Sequence, residues 1–210
     1  MALFREYLTP RLGIWKLEET VGQLYESLSL KEEYLPFLET IKSERRKQEW
    51  LAVRVLLKHL LGEERPIAYR PDGAPYLPDS PLHISISHTD GYVSVLLQQG
   101  PSAGVDIESR SDRVKKVRSR FISKNEEITI DSKHEIECLL ICWCAKEALF
   151  KMIGQTDVDF LQHLHIAPFS YADSGELQVW ETRTELHQRF LLRYQLFQDF
   201  VLVYSVTDKQ

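Results

Sequence analysis

The fold of this chain is decided by residues 138–150, CLLICWCAKEALF, whose only charged members are Lys146 and Glu147. Leu140, Trp143 and Glu147 recur at helical spacing, so Glu147 projects from the same helical stripe as a tryptophan. A helix that is apolar on almost every side is a buried helix. A carboxylate in such a stripe is costly unless another group pairs with it, protonates it or coordinates it. The stretch therefore predicts a buried helix that carries a functional Glu147.

Composition and charge narrow the class of protein. The chain has 210 residues, of which 43% are hydrophobic and 27% charged, as in ordinary globular proteins. It has no apolar run of about 18 residues and no apolar signal core near its start, so we expect a cytoplasmic protein without a membrane span. The net charge of −5 does not favour binding to nucleic acid or to an anionic membrane.

Helix and strand signals alternate along the chain. Ser43 as N-cap and Gly62 as C-terminal signal predict a helix between them, with an exposed basic stripe of Lys47, Arg54 and Lys58. Alternating residues on both sides of Thr89-Asp90-Gly91 predict a β-hairpin. Residues 104–108, GVDIE, form a further strand, and residues 160–206 contain four more.

An internal repeat suggests two similar halves. Residues 50–62 (WLAVRVLLKHLLG) and 143–154 (WCAKEALFKMIG) share a spacing of tryptophan, alanine, charged residue, leucine and lysine. We therefore expect an α+β fold of two subdomains, residues 1–103 and 104–210, each with a long helix packed on a small, mainly antiparallel sheet. A cleft between two such halves is the expected place for a ligand.

Three carboxylates form the candidate chemical site. Asp106 and Glu108 share one face of a strand, although any polar strand face shows this pattern, and Glu147 supplies a third carboxylate. Ligands that offer only oxygen suit Mg²⁺ or Mn²⁺ and leave positions open for phosphate oxygens. Lys146 and Lys151 lie close in sequence and are candidates to neutralise phosphate charge, although Lys151 also fits an ordinary cation at a helix end.

Five motifs give this pattern a family resemblance. Together they resemble the 4′-phosphopantetheinyl transferase superfamily, in the larger pseudo-dimeric type that activates surfactin synthetase and related carrier proteins. That resemblance implies a pseudo-two-fold axis between the subdomains, with coenzyme A in the cleft between them. The motifs are DGAPYL (72–77), ISISHTDGYV (84–93), GVDIE (104–108), RFISKNE (120–126) and WCAKEALFK (143–151).

The resemblance also implies a reaction. Enzymes of this type transfer 4′-phosphopantetheine from coenzyme A to a serine hydroxyl of an apo acyl or peptidyl carrier protein, and release adenosine 3′,5′-bisphosphate. By similarity, Asp106, Glu108 and Glu147 hold Mg²⁺ against the pyrophosphate. Glu147, directly or through a metal-bound water, is the expected base. Lys146 and Lys151 are expected to stabilise charge on the pyrophosphate and the leaving group.

The resemblance assigns the nucleotide end of coenzyme A to the first subdomain. Ser87 and His88 match positions that contact the nucleotide and its 3′-phosphate. Arg54, assisted by Arg46 or Lys47, is expected to complete a phosphate clamp.

Two departures from the family pattern concern single side chains. Ala74 replaces a lysine that is common in relatives, and Ser85 replaces an asparagine. Neither lies among the metal carboxylates, so we expect activity to be retained.

A basic segment follows the acidic strand. Residues Arg110–Ile122 contain six cations, which fit either a solvated helix face or a docking surface for an acidic carrier protein, with Phe121 and Ile122 as apolar contacts. We expect a monomer, because the chain contains both halves of the pseudo-dimer. The alternatives are a catalytically silent protein that binds coenzyme A or a carrier protein, and a different Mg²⁺-dependent phosphotransferase.

Overall fold

Two antiparallel sheets and two long helices dominate the computed structural model, which describes residues 2–100 and 102–206. The predicted α+β class is confirmed. None of the helices in these ranges has the length and apolar character needed to cross a membrane. The strands are β1 (Leu3–Leu8), β2 (Arg11–Lys16), β3 (Ala68–Tyr69), β4 (Pro75–Tyr76), β5 (His83–Thr89), β6 (Tyr92–Gln98), β7 (Val105–Ser109), β8 (Leu164–Ile166), β9 (Ser174–Glu181), β10 (Arg189–Leu196) and β11 (Phe200–Ser205). The helices are α1 (Val21–Glu26), α2 (Lys31–Thr40), α3 (Glu44–Leu61), α4 (Arg113–Val117) and α5 (Glu135–Ile153).

The first sheet has the strand order β1-β2-β6-β5 and packs against α3. Both predicted ends of α3 are confirmed: the Ser43 hydroxyl accepts the backbone N–H of Arg46 at 3.4 Å, and Gly62 closes the helix at φ +78°. The helix lies so close to β2 that a Cβ on Gly13 would be 2.6 Å from Leu56. Side-chain size at that crossing therefore sets how closely α3 can approach the sheet.

The second sheet has the order β7-β11-β10-β9-β8 and packs against α5. The buried helix predicted from CLLICWCAKEALF is confirmed, and it ends at Gly154 with φ +55°. The four strands predicted within residues 160–206 are also present.

The two sheets also pack on each other, which gives four layers in the order helix, sheet, sheet, helix. A core of residues from β2, β6, β7 and β11 lies between the sheets, including Leu12, Leu96, Val105 and Leu202. Strands covered on both faces are apolar at nearly every position, which explains the sequences YVSVLLQ and FVLVYS of β6 and β11. The pseudo-two-fold relation and the boundary between residues 103 and 104 stay predictions.

Candidate functional site

Asp106 is the central side chain of the predicted carboxylate site and is 4% exposed. Its Oδ1 atom accepts hydrogen bonds from Ser87 Oγ at 2.7 Å and from Lys151 Nζ at 2.8 Å. Within the part of the chain that the structure describes, its buried Oδ2 atom has no hydrogen-bond partner. A buried carboxylate oxygen without a donor is costly, so this atom is suited to receive a cation.

Glu108 and Glu147 complete the predicted carboxylate set. Burial raises the pKa of Glu147 to about 7, and the nearby charge of Asp106 adds to the rise while Lys151 opposes it. Burial and Asp106 likewise raise the pKa of Glu108, although Trp143 Nε1 donates to Glu108 at 3.3 Å. The structure therefore brings the three carboxylates into one electrostatically coupled cluster.

The donor set of this cluster fits a hard divalent cation. All three side chains offer only oxygen, one oxygen of Asp106 is unpartnered, and a bound cation would relieve their mutual repulsion. Among residues 2–100 and 102–206, no three His, Cys, Asp or Glu side chains already stand in a metal-binding arrangement.

A cationic cluster lies on the first subdomain. Arg46 Nη1 is 2.8 Å from His88 Nε2, so the structure brings these two predicted residues together. Burial lowers the pKa of His88, Glu49 opposes this effect, and the positive charges of Arg46 and Lys151 lower the pKa further. Ser87 connects the two clusters, because it precedes His88 in β5 and its hydroxyl donates to Asp106 Oδ1.

Glu49 organises the cationic cluster and was not predicted from the sequence. It is 4% exposed and accepts from Arg45 Nε at 2.9 Å and from Arg46 Nη1 at 3.4 Å. The available sequence signal was its helical spacing of four and three residues from two arginines. Its carboxylate holds Arg46 in position beside His88.

A cleft lies next to Lys151, the partner of Asp106. It has a volume of about 1020 Å³ and is lined by the β3–β4 hairpin, by β5 and by the C-terminal end of α5. Ser85, Phe150 and Lys151 line it, and so does Ala74. A mixed polar and apolar cleft of this size is suited to a small-molecule ligand.

Comparison with known proteins shows which family this chain is similar to. The sequence profile of the 4′-phosphopantetheinyl transferase superfamily matches residues 102–204, which carry all three carboxylates and Lys151. This match covers 103 of the 210 residues, and over them the chain is similar to this superfamily. It is similar to 4′-phosphopantetheinyl transferase AcpT of Escherichia coli K12, with 31% identity over 115 residues, 52% of this chain and 59% of that protein. It is also similar to the 4′-phosphopantetheinyl transferases gsp of Aneurinibacillus migulanus and ffp of Bacillus subtilis.

These matches cover part of each relative. Identity to gsp is 33% over 86 residues, 40% of this chain and 35% of that protein. Identity to ffp is 36% over 87 residues, 40% of this chain and 38% of that protein. The chain thus spans little more than half the length of the AcpT relatives and about a third of the length of the other two.

Lys146 of the superfamily motif W-x-x-K-E-A does not reach the carboxylate cluster. It is fully buried, and its Nζ donates to Phe121 O at 2.6 Å, to Glu126 Oε2 at 2.9 Å and to Phe160 O at 2.9 Å. The expectation that Lys146 neutralises pyrophosphate charge is wrong in this geometry, because all three ammonium protons are already donated. Glu126, which the sequence reading missed, also binds the backbone N–H of Ser123.

Arg54 and Lys47 are likewise not brought to His88. Arg54 is 3% exposed, and its guanidinium carbon is 3.0 Å from the centre of the Trp50 ring. Burial lowers the pKa of Arg54 to about 10. Lys47 is paired with Glu44 at 3.2 Å. The predicted exposed stripe is therefore wrong at Arg54, since Arg54 points into an aromatic pocket, and the clamp is reduced to Arg46 and His88.

The predicted docking segment is partly neutralised and partly buried. Phe121 and Ile122 are 0% and 7% exposed, so the expectation that they contact a partner is wrong. Arg110 pairs with Glu137, Arg118 pairs with Glu127 and Glu135, and Lys115 pairs with Glu135. Three cations of the segment, Arg113, Lys116 and Arg120, make no ion pair with any described residue.

Proposed function

We propose that this protein transfers 4′-phosphopantetheine from coenzyme A to a serine hydroxyl of an apo acyl or peptidyl carrier protein. The products are the holo carrier protein and adenosine 3′,5′-bisphosphate. The observation that carries this proposal is the coupled carboxylate cluster, which Ser87 connects to the Arg46–His88 pair, in a chain that matches this superfamily.

The carboxylates are assigned to a Mg²⁺ ion. Asp106, Glu108 and Glu147 would hold it, and the unpartnered Oδ2 atom of Asp106 supports this assignment. When bound, the ion supplies positive charge that neutralises the pyrophosphate of coenzyme A. Lys151 and Ser87 keep the other oxygen of Asp106 fixed, so the Asp106 side chain is already oriented.

The nucleotide end of coenzyme A is assigned to the first subdomain. Arg46 and His88 would bind the phosphate of the nucleotide, because an arginine beside an imidazole offers several N–H donors at one point. Glu49 orients Arg46 by accepting a hydrogen bond from its Nη1 atom. The cleft then holds the rest of the coenzyme between β5 and the end of α5.

The chemical step needs one proton transfer and one displacement. The serine hydroxyl oxygen of the carrier protein attacks the phosphorus that bears pantetheine, and its proton passes to a carboxylate oxygen of Glu147. The bond from that phosphorus to the bridging oxygen breaks, and the electron pair leaves with adenosine 3′,5′-bisphosphate. We assign the role of general base to Glu147, the carboxylate of the cluster that the buried helix α5 carries. Lys151, whose Nζ donates to Val105 O and Asp106 Oδ1, would offer its remaining proton to the leaving group.

Intact-mass spectrometry tests the proposal directly. The purified protein is incubated with coenzyme A, Mg²⁺ and a panel of apo carrier proteins, and a carrier that gains one phosphopantetheine supports the proposal. Glu147→Gln should abolish the adduct while coenzyme A binding is retained, and Glu39→Gln, an exposed glutamate on α2, is the matched control. Binding of coenzyme A without any adduct would indicate a silent binding protein, and no binding would indicate a different phosphotransferase.

A further inference from the structure

Three buried hydroxyl groups join the two sheets. β7 is an edge strand of its sheet, so every second backbone N–H along it has no strand partner on its outer side. Side chains of β5, the edge strand of the other sheet, accept these N–H groups. The bonds are Val105 N–H to Ser85 Oγ at 3.0 Å, Ile107 N–H to Ser87 Oγ at 3.3 Å and Ser109 N–H to Thr89 Oγ1 at 2.8 Å. We name this row of three bonds the hydroxyl seam.

The hydroxyl seam has a single register. Each of its three bonds joins residues twenty positions apart, so the two strands run side by side in the same direction. Side chains on one face of a strand and N–H groups on one edge both recur every second residue, about 6.6 Å apart. A slip by one residue, about 3.3 Å, would misalign all three bonds. Ser85, Ser87 and Thr89 are 2%, 8% and 8% exposed, so water has little access to replace a lost bond.

The register matters because the residues of the two clusters alternate with those of the hydroxyl seam. On β5, His88 lies between Ser87 and Thr89. On β7, Asp106 and Glu108 alternate with the three residues whose N–H groups are bound. A slip of one residue, about 3.3 Å, would therefore displace the carboxylates relative to His88 by more than the length of a hydrogen bond.

We propose that Ser85 and Thr89 are positioning residues that fix the distance between the carboxylate cluster and the Arg46–His88 pair. This inference rests on the proposed function, because it assigns the two clusters to one coenzyme molecule. Ser87 is left out of the assignment because its hydroxyl also binds Asp106 directly. The positioning role gives a reason for the serine at position 85, because its short hydroxyl side chain accepts a hydrogen bond from the N–H of Val105.

The affinity for a ligand that contacts both clusters should depend on the hydroxyl seam. The affinity for a ligand that contacts only one cluster should not. Coenzyme A carries its pyrophosphate toward the carboxylates and its nucleotide toward Arg46 and His88. Adenosine 3′-monophosphate carries neither phosphate of the pyrophosphate, so it reaches only the Arg46–His88 pair. The ratio of the two affinities therefore reports on the alignment of the clusters, and a general loss of folded protein would lower both affinities together.

The variants are chosen to remove or to keep the hydroxyl groups that form the seam. Ser85→Ala with Thr89→Val removes both hydroxyl groups at nearly constant volume, and Thr89→Ser keeps a hydroxyl group. Thr129→Val is the matched control, because Thr129 is 3% exposed and its hydroxyl bonds Glu126 O within the second subdomain. In the double variant the affinity for coenzyme A should fall about tenfold or more, with the affinity for adenosine 3′-monophosphate within about twofold of the parent. Thr89→Ser and Thr129→Val should keep both values.

A distance measurement tests the seam without reference to activity. Spin labels at Glu39→Cys and Glu185→Cys, both exposed and on different subdomains, report the separation of the halves by pulsed electron paramagnetic resonance. The three native cysteines are buried, so the label reacts at the introduced sites. The parent should give one narrow distance and the double variant a broadened or shifted one.

Each result has a defined meaning. Unchanged distances, or equal losses of affinity for both ligands, would overturn the positioning role. If the parent protein modified no carrier, the proposed function would fail, and the spin-label distances would still decide whether the hydroxyl seam aligns the halves.

Discussion

Removal of the Lys146 ammonium group should destabilise the protein strongly without altering its contact with coenzyme A. In Lys146→Met, three buried hydrogen bonds are lost and the carboxylate of Glu126, 3% exposed, is left without its cation. Breaking a buried ion pair by removing one partner costs about 3–5 kcal/mol. For a protein of this size, that cost lowers the melting temperature by roughly 10–15 °C.

The assay combines unfolding with steady-state kinetics. Urea denaturation of the parent and of Lys146→Met gives the loss in free energy of unfolding, and Lys133→Met, an exposed lysine just before α5, is the matched control. The KM for coenzyme A of the remaining folded enzyme should stay within about twofold of the parent, since a contact to phosphate would be worth about 1.5–3 kcal/mol.

A double-mutant cycle separates the ion pair from simple loss of packing. Lys146→Met combined with Glu126→Gln removes both charges, so the double variant should be more stable than the sum of the single effects predicts, by at least about 1 kcal/mol. A stability loss in Lys146→Met below about 1 kcal/mol would refute the reasoning from burial. So would a large rise in the KM for coenzyme A, because it would return Lys146 to the phosphate site.

The remaining predictions concern the site itself. Burial raises the folded-state pKa of Glu147 to about 7, so the Mg²⁺-free protein should lose stability as pH rises from about 4.5 through 7. The loss should be about 2 kcal/mol after allowance for its partial exposure, and Glu147→Gln should flatten this profile in urea unfolding. His88→Ala should raise the KM for coenzyme A by roughly 10-fold or more, and an unchanged KM would remove His88 from the nucleotide site. Charge reversal at Arg113, Lys116 and Arg120 should raise the KM for an acidic carrier protein, most at low salt, and leave that for coenzyme A unchanged. Chelation of Mg²⁺ should abolish adduct formation, and full activity in a chelator would contradict the role of the three carboxylates.

The sequence by itself determined the features that depend on local spacing. The helical period of CLLICWCAKEALF fixed α5 as a buried helix, and Ser43 and Gly62 fixed the ends of α3. These features follow from side-chain periodicity and from capping, which involve residues a few positions apart. The motif spacing likewise placed Glu147 with Asp106 and Glu108 before any contact was known.

Tertiary structure alone decided which charged side chains are free to act. Lys146 and Glu147 are neighbours in sequence, but one is committed to Glu126 twenty residues away and the other faces the carboxylates. Arg54 has the sequence context of an exposed helix cation and lies in an aromatic pocket instead.

The register of the two sheets was also beyond sequence reasoning. The sequence identifies Ser85 and Thr89 only as polar residues on a strand. The backbone N–H groups that they bind lie on the other sheet. Whether a polar group is exposed, paired or aimed into a site depends on elements distant in sequence that pack over it. Local patterns therefore predicted the kinds of residue in the site, and packing determined their distances and their partners.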